Sequence, residues 1–264
     1  MSGMAAQQRL MDVIANNLAN INTTGFRAET VQFHDLLMNR VPTTGAATPN
    51  TAPDDQTGRN PSLEGQVSGG IRVGAIVRDF EVGKIQEDGV PLHSAIDGEG
   101  FFIVRQGDGG AVYTRDGTFR LDPLGRLVTS GGDIVLPETR VPADARDVHI
   151  RSDGTIFARF VDDSGDEFEV MLGEIQVARF TNPHGLASIG QNLFVATEAS
   201  GEAEVGYPGE EAFGSIRPGA TESSNVDLAE QMTSMVIGQR AYALSARAMQ
   251  TLDEMMSLAN NLRR

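Results

Sequence analysis

Residues 12–26 read DVIANNLANINTTGF and residues 223–242 read SSNVDLAEQMTSMVIGQRAY, and the reading of these two stretches decides the fold. In the first, Met4, Met11 and Leu18 recur every seven residues, with Ile14 and Ile21 filling the intervening spacing. That pattern makes a narrow apolar seam on an α-helix. Asn20, Asn22, Thr23 and Thr24 then lead to Gly25, which takes the left-handed conformation that closes a helix, and Phe26 offers an apolar anchor beyond it. In the second, Leu228, Met235, Tyr242, Met249 and Met256 stand at the same seven-residue interval, accompanied by Met232, Ala246 and Leu252. Ser223, Ser224 or Asn225 is the expected N-cap, with Asp227 and Glu230 near the positive helix end and Arg263 and Arg264 at the negative end. The seam is built of Met, Ala and Gln239 rather than Leu and Ile, which suits packing among many neighbours better than an isolated coiled coil. Periodicity does not distinguish a partner helix in the same chain from one in another copy, and chain ends often lie close together.

Composition separates the ends from the middle. All eleven prolines fall between Pro42 and Pro218, and of thirty glycines only Gly3, Gly25 and Gly238 lie in the first 40 or last 41 residues. Residues 1–40 hold three basic and three acidic groups, and 224–264 hold four of each, so the net charge of −15 belongs to the middle of the chain. An acidic middle argues against nucleic acid or anionic lipid as partner, because both require positive charge opposite phosphate. Neutral ends pack together without strong self-repulsion. The chain has no cysteine, which excludes disulfides and thiolate metal sites. No apolar run approaches a membrane span, and no secretory signal pattern opens the chain, so a soluble protein without a cleaved leader is expected.

Residues 41–70 are rich in Thr, Pro, Gly, Asn and Ser and read as an extended linker. From Ile71 the pattern changes to short strands such as IRVGAIVRDFEV, GFFIVRQ, TIFARFV and FEVMLGEIQVARF. Turn signals at Asp116-Gly117, Asp122-Pro123-Leu124-Gly125 and Ser152-Asp153-Gly154 separate them, as in an antiparallel barrel or sandwich. The expected fold class is α+β: paired, coiled-coil-like N- and C-terminal helices flank a central antiparallel all-β domain. The divisions are 1–40 for the N-terminal helix, 41–70 for the linker, 71–222 for the β-domain and 223–264 for the C-terminal helix.

Signatures of catalysis are weak. His34, His93, His149 and His184 lack ligand-like spacing. Gly98-Glu99-Gly100 precedes a strand, so it cannot set a helix N-terminus against a pyrophosphate. Asp162-Asp163-Ser164-Gly165-Asp166 imitates part of a calcium loop but lacks its closing Glu and flanking helices. Asp116 and Asp122 both sit in turns, where Asp is expected on conformational grounds. No enzyme activity, cofactor or metal is expected.

DVIANNLANINTTGFRAETVQFHDLL resembles the N-terminal signature of the flagellar basal-body rod and hook proteins, and SSNVDLAEQMTSMVIGQRAYALSARAMQTLDEMM resembles their C-terminal one. AIDGEGFFIV, YTRDGTFRLDPLGRLVTSGGDIVLP and FTNPHGLASIGQNLFVAT are similar to the family's central region, so the likeness covers almost everything outside 42–70. Family members carry several residues ahead of the position matched by Ser2-Gly3-Met4. The motif positions are Asn16, Asn17, Asn20, Asn22, Gly25, Phe26, Ser224, Asn225, Val226, Gln239 and Arg240. The resemblance implies a structural subunit of the rod, most like its distal part, with the proximal rod paralogue as alternative. It implies a helical homopolymer that surrounds an export channel and transmits torque, with terminal helices inside, ordering on assembly, and the β-domain outside. Implied partners are other copies, other rod and hook subunits, the flagellar type III export apparatus and surrounding ring proteins, with neither nucleic acid nor membrane insertion. The implied location is the basal body, and 42–70 corresponds to a variable segment contacting other subunits. Met11, Ile14, Leu18, Ile21, Leu228, Met235, Tyr242, Met249 and Met256 are the expected subunit contacts. The four Asn are expected to bridge polar groups between helices or to face the channel. Two readings from other classes remain: a secreted β-domain with a helical oligomerisation stalk, and an enzyme acting on cell-wall glycan.

Overall fold

The computed structural model describes residues 2–35, 71–107, 109–162, 165–210 and 212–261. The expected linker 41–70, Arg263, Arg264 and part of the calcium-like loop lie outside the described residues. In chain order the elements open with α1 (Ser2–Ala19), β1 (Glu29–Asp35), β2 (Ile71–Arg78), β3 (Ile85–Glu87), β4 (Ser94–Asp97) and β5 (Phe101–Arg105). There follow β6 (Ala111–Thr114), β7 (Arg120–Leu121), β8 (Leu127–Val128), β9 (Ile134–Val135), β10 (Asp147–Ile150) and β11 (Thr155–Val161). The chain continues through β12 (Glu167–Glu174), β13 (Val177–Arg179), β14 (Ala187–Gly190), β15 (Leu193–Val195), β16 (Glu204–Gly206), β17 (Ser215–Pro218) and β18 (Ala220–Glu222). It closes on α2 (Leu228–Asn261). This is the α+β arrangement expected from the sequence, two helices flanking an antiparallel β-domain.

The chain forms two compact units, one of Met1–Asp12, Val31–Ile76 and Val236–Arg264, the other of Val13–Thr30 and Val77–Met235. The second holds the β-domain. Its largest sheet runs β14-β15-β6-β5-β9-β8-β7, with β13 joining β5 and β16 joining β13. A separate sheet β10-β11-β12 and the two-stranded sheets β17-β4 and β18-β3 complete it. Each of these pairings with a described register is antiparallel, as short turns between strands require.

Alternation along β5 sends its side chains into two clusters. Phe102 and Val104 join Val112, Phe119, Val135, Ile156, Val177 and Ile216 in one core, with Phe102 and Phe119 edge to face at 4.8 Å. Phe101 and Ile103 point the other way, to Tyr113, Phe180, Leu186 and Phe194. Phe80 meets Phe101 and Phe194 edge to face at 5.7 and 5.4 Å. The continuous burial of FFIV, which would be half-exposed in a one-sided sheet, follows from a sheet covered on both faces.

The helix ends earlier than the division at residue 40 implied. The stop signal acts where its residues stand: Ala19 is the last helical residue, and β1 occupies 29–35, which is rich in Thr, Val and Phe. Gly25 has φ +66°, and a Cβ there would lie 2.6 Å from the Asp116 backbone nitrogen. Left-handed geometry and close approach to another backbone both select glycine at this turn.

In the unit that holds both outer helix segments, Met11 of α1 approaches Gly238 of α2, the one buried residue of that helix among those described. A Cβ at Gly238 would meet Met11 Cγ at 3.5 Å, an ordinary contact. The two glycines therefore respond oppositely to alanine. Gly25→Ala should destabilise the chain by about 2 kcal/mol or more, through an unfavourable φ and a backbone clash. Gly238→Ala should be neutral or stabilise α2 by up to about 1 kcal/mol, because a helical glycine is intrinsically costly. Urea unfolding of the two variants beside the parent chain checks both signs.

Candidate assembly site at the helix roots

The segments that leave α1 and enter α2 meet at a buried charge cluster in the β-domain unit. Glu222 closes β18, Arg27 follows the Gly25-Phe26 turn, and Arg115 follows β6. Arg27 Nη2 donates to Glu222 Oε1 at 2.7 Å, and Arg115 Nη1 donates to Glu222 Oε2 at 3.3 Å. The side chains of Arg27 and Glu222 are wholly buried, and that of Arg115 is 4% exposed. The Gly83 N–H also donates to Glu222 Oε1 at 2.7 Å, and Arg115 donates to the Ile96 and Gly98 carbonyls at 3.2 and 2.6 Å. The Gly25 N–H donates to the Glu222 carbonyl at 2.8 Å, so main chain and side chain tie the same two roots.

One carboxylate serves two guanidinium groups, which leaves the cluster with an excess positive charge. Burial pushes the Arg115 pKa down to about 10; Glu222 opposes the shift and Arg27 adds to it. Arg115 is still cationic at neutral pH. Arg27 Nε and Nη1 and Arg115 Nε find no acceptor within the chain.

Two amides extend the junction. Asn17, 1% exposed, donates from Nδ2 to the Glu29 carbonyl at 2.8 Å and to Gln231 Oε1 at 3.2 Å, and accepts the Glu29 N–H at 2.9 Å. It thus joins α1 to β1 and to α2. Asn225 Oδ1 accepts the Ala28 N–H at 2.7 Å, and its Nδ2 donates to the Asp79 and Glu81 carbonyls at 3.1 and 3.2 Å. Asn225 is therefore not the helix cap. Asp227 is: its Oδ1 accepts the N–H groups of Ala229 and Glu230 at 2.8 and 3.1 Å. Ser224, also proposed as cap, accepts the Val226 N–H at 3.3 Å instead, and Ser223 donates its N–H to the Lys84 carbonyl. The caps expected from sequence stood too early because the backbone at 223–226 is engaged with the β-domain.

Of the four Asn expected to bridge, Asn17 joins helix to helix. Asn16 donates to Glu29 Oε2 at 3.4 Å, Asn20 donates back to Asn16 within the last turn, and Asn22 is exposed. The buried stripe of α1 runs through Ala6, Val13, Ile14 and Asn17. Met11, Leu18 and Ile21 flank it, half-buried. The seven-residue pattern missed Ala6 and Val13, because it followed the large residues around the edge of the stripe. Phe26, Val226 and Ser224 are buried at the roots, while Gln239 and Arg240 are exposed.

On α2 the contacts at Asn17–Gln231 and Met11–Gly238 set the two helices antiparallel. Met235, Tyr242 and Met249 are half-buried, whereas Leu228 is 48% and Met256 72% exposed. A second line, Ile237, Leu244 and Leu258, is 63–65% exposed. Every described residue from 251 to 261 is exposed. No helix among the described residues is long and apolar enough to cross a membrane.

Comparison with known proteins matches the places where these features occur. Residues 1–27 match a family described as flagella basal body rod protein, 95–158 the flagellar hook protein FlgE/F/G D1 domain, and 217–262 the flagellar basal body rod FlgEFG protein C-terminal. The flagellar basal-body rod protein FlgG of Borreliella burgdorferi is 42% identical over 266 residues, covering 100% of this chain and 96% of its own. The proteins of that name in Caulobacter vibrioides and Bacillus subtilis are each 36% identical, covering 99% and 100% of this chain and 97% of their own. The chain belongs to the flagellar basal-body rod protein family. It is a structural rod subunit of the flagellar basal body.

Arg27, Arg115 and Glu222 escaped the sequence reading. Arg27 and Glu222 stand 195 residues apart, and no local pattern marks either as a buried ion. The weak signal was position: Arg27 follows the N-terminal motif, and Glu222 precedes the C-terminal one.

Glu222→Gln should cost about 3–5 kcal/mol, because it leaves two like charges buried without a counter-ion. Arg27→Met should cost less, since it removes two unpartnered donors and leaves the neutral pair Glu222–Arg115. Urea midpoints of the full chain, compared at constant slope, test this order.

Proposed function

We propose that the chain is a non-catalytic subunit of the distal rod, polymerising through α1 and α2 into a helical tube around the export channel and carrying torque. The observation that carries this reading is the excess of exposed apolar surface on α2. A helix apolar on several faces is one destined for burial among several neighbours, and α1 covers only one of those faces. Ile237, Leu244 and Leu258 lie off the expected seam, on a line of their own, and Met256 lies where no α1 residue reaches. A head-to-tail interface that does not close generates a helical polymer.

Other copies, other rod and hook subunits, the export apparatus and surrounding ring proteins are the partners of this reading. Full-length likeness to proteins named FlgG favours the distal position over the proximal one. The acidic β-domain faces outward, and the neutral helices face one another. Ordering on assembly belongs chiefly to the end of α2, because α1 already buries Ala6, Val13, Ile14 and Asn17.

Leu244→Asp should leave the urea midpoint of the free chain within about 0.5 kcal/mol of the parent, since the site is exposed. The same change should abolish incorporation into basal bodies and swimming. Normal motility in a strain carrying only that variant would overturn the reading. Limited proteolysis of the free subunit gives an independent check. Cleavage should begin within 251–261 and leave the β-domain whole. A chain resistant throughout would instead favour a closed oligomer with a helical stalk.

A further inference from the structure

The β-domain unit contains a cleft of about 720 Å³ between the turn that follows α1 and the loops of the large sheet. That is the size of a ligand site, typically ~300–1,000 Å³. Asn22 and Thr23 line one wall, Ser130 and Gly131 another, and Gln191 and Asn192 a third. Arg27, 1% exposed, also belongs to the lining, with Nε and Nη1 lacking an acceptor. Asn192 Nδ2 donates to the Thr24 carbonyl at 2.9 Å and Thr24 Oγ1 to Asp116 Oδ1 at 2.9 Å, which holds the turn to the sheet.

The lining discriminates between kinds of occupant. Its charged members are Arg27, Arg78, Asp116 and Asp133, two of each sign, so neither an anion nor a cation is selected by charge. A metal ion finds Asp116 already engaged by Thr24, Thr118 and Ser130. A sugar ring lacks a platform, because the aromatic residues of the lining, Phe26 and Phe194, are both buried. What remains is side-chain amides and hydroxyls that both donate and accept, the chemistry that pairs with the N–H and C=O groups of an extended polypeptide. Asn22 and Gln191, exposed on separate walls, have side chains free for that pairing. A main-chain carbonyl seated here would also give the Arg27 donors the acceptor that the chain does not supply.

We infer that this cleft is a receptor for an uncharged, extended backbone segment of a second copy of the chain, a contact separate from the helix faces. The inference rests on the rod-subunit reading, in which every subunit lies beside copies of itself. It makes the β-domain a participant in assembly, and places that contact beside the turn whose conformation orients α1.

Photo-crosslinking in assembled basal bodies tests it. The probe is p-benzoylphenylalanine, introduced singly in place of Asn22, of Gln191, or of Leu244 on α2, followed by mass spectrometry of the adducts. Adducts joining two copies of this chain from both 22 and 191, absent for the free subunit, are expected. If position 244 yields such adducts while 22 and 191 yield none, or only adducts within one chain, the cleft inference falls and the rod reading stands. An adduct from 22 and 191 to a different protein also overturns the assignment to a second copy. If incorporated subunits yield no adduct between copies from any position, both readings fall.

Discussion

The structure depends on a carboxylate placed between two arginines out of reach of water. Glu222 binds Arg27 and Arg115 at 2.7 and 3.3 Å in a site that excludes solvent. Desolvating three charges is expensive, and attraction recovers that cost only with good geometry and further hydrogen bonds. Here the Gly83 N–H and the Ile96 and Gly98 carbonyls supply them. The return on so costly a cluster is position. An apolar contact between the same segments would tolerate sliding by a residue, whereas a fully buried ion tolerates almost none. The point where α1 ends and the point where α2 begins are thereby held in one register on the β-domain.

Amides then carry that register outward. Asn17 satisfies both the N–H and the C=O of Glu29 and reaches Gln231, so the last turn of α1, the first residue of β1 and the first turn of α2 share one side chain. Asn225 does the same for Ala28, Asp79 and Glu81. Buried amides of this kind must be fully paired to be tolerated, and each pairs here with main chain from distant parts of the sequence. The Asn-rich motif is thus explained by backbone that leaves a helix and has no regular ladder to satisfy it.

What was legible in the sequence follows from the range of the forces involved. Helix periodicity, the stop at Asn20–Gly25 and the turns of the β-domain are set within a few residues, and each appears where the pattern placed it. The residues that join distant segments were not legible in the same way. Glu222 and Arg115 look like surface charges in a chain with 36 acids, and only the fold brings them to Arg27. The N-cap was misplaced by two to four residues for a related reason. Ser223, Ser224 and Asn225 are good caps in isolation, but their groups are already committed to the β-domain, and Asp227 is the first residue free to serve. Counting heptads likewise found the large residues of α1 and overlooked Ala6 and Val13, whose size lets the helices approach.

The division of charge completes the argument. A rod subunit has to remain soluble alone and yet bury apolar helix surface among copies of itself. Spreading a charge of −15 over the whole chain would oppose the packing of the helices, because like charges brought into a crowded, weakly solvated interior repel with little screening. Confining the excess to the middle of the chain keeps the repulsion on surface that stays in contact with water and salt. The buried cluster at the helix roots adds the complementary constraint, since it couples the neutral helices to the acidic domain at a defined point. Solubility and assembly are thereby assigned to different parts of one chain, and the join between them is the most tightly specified place in the structure.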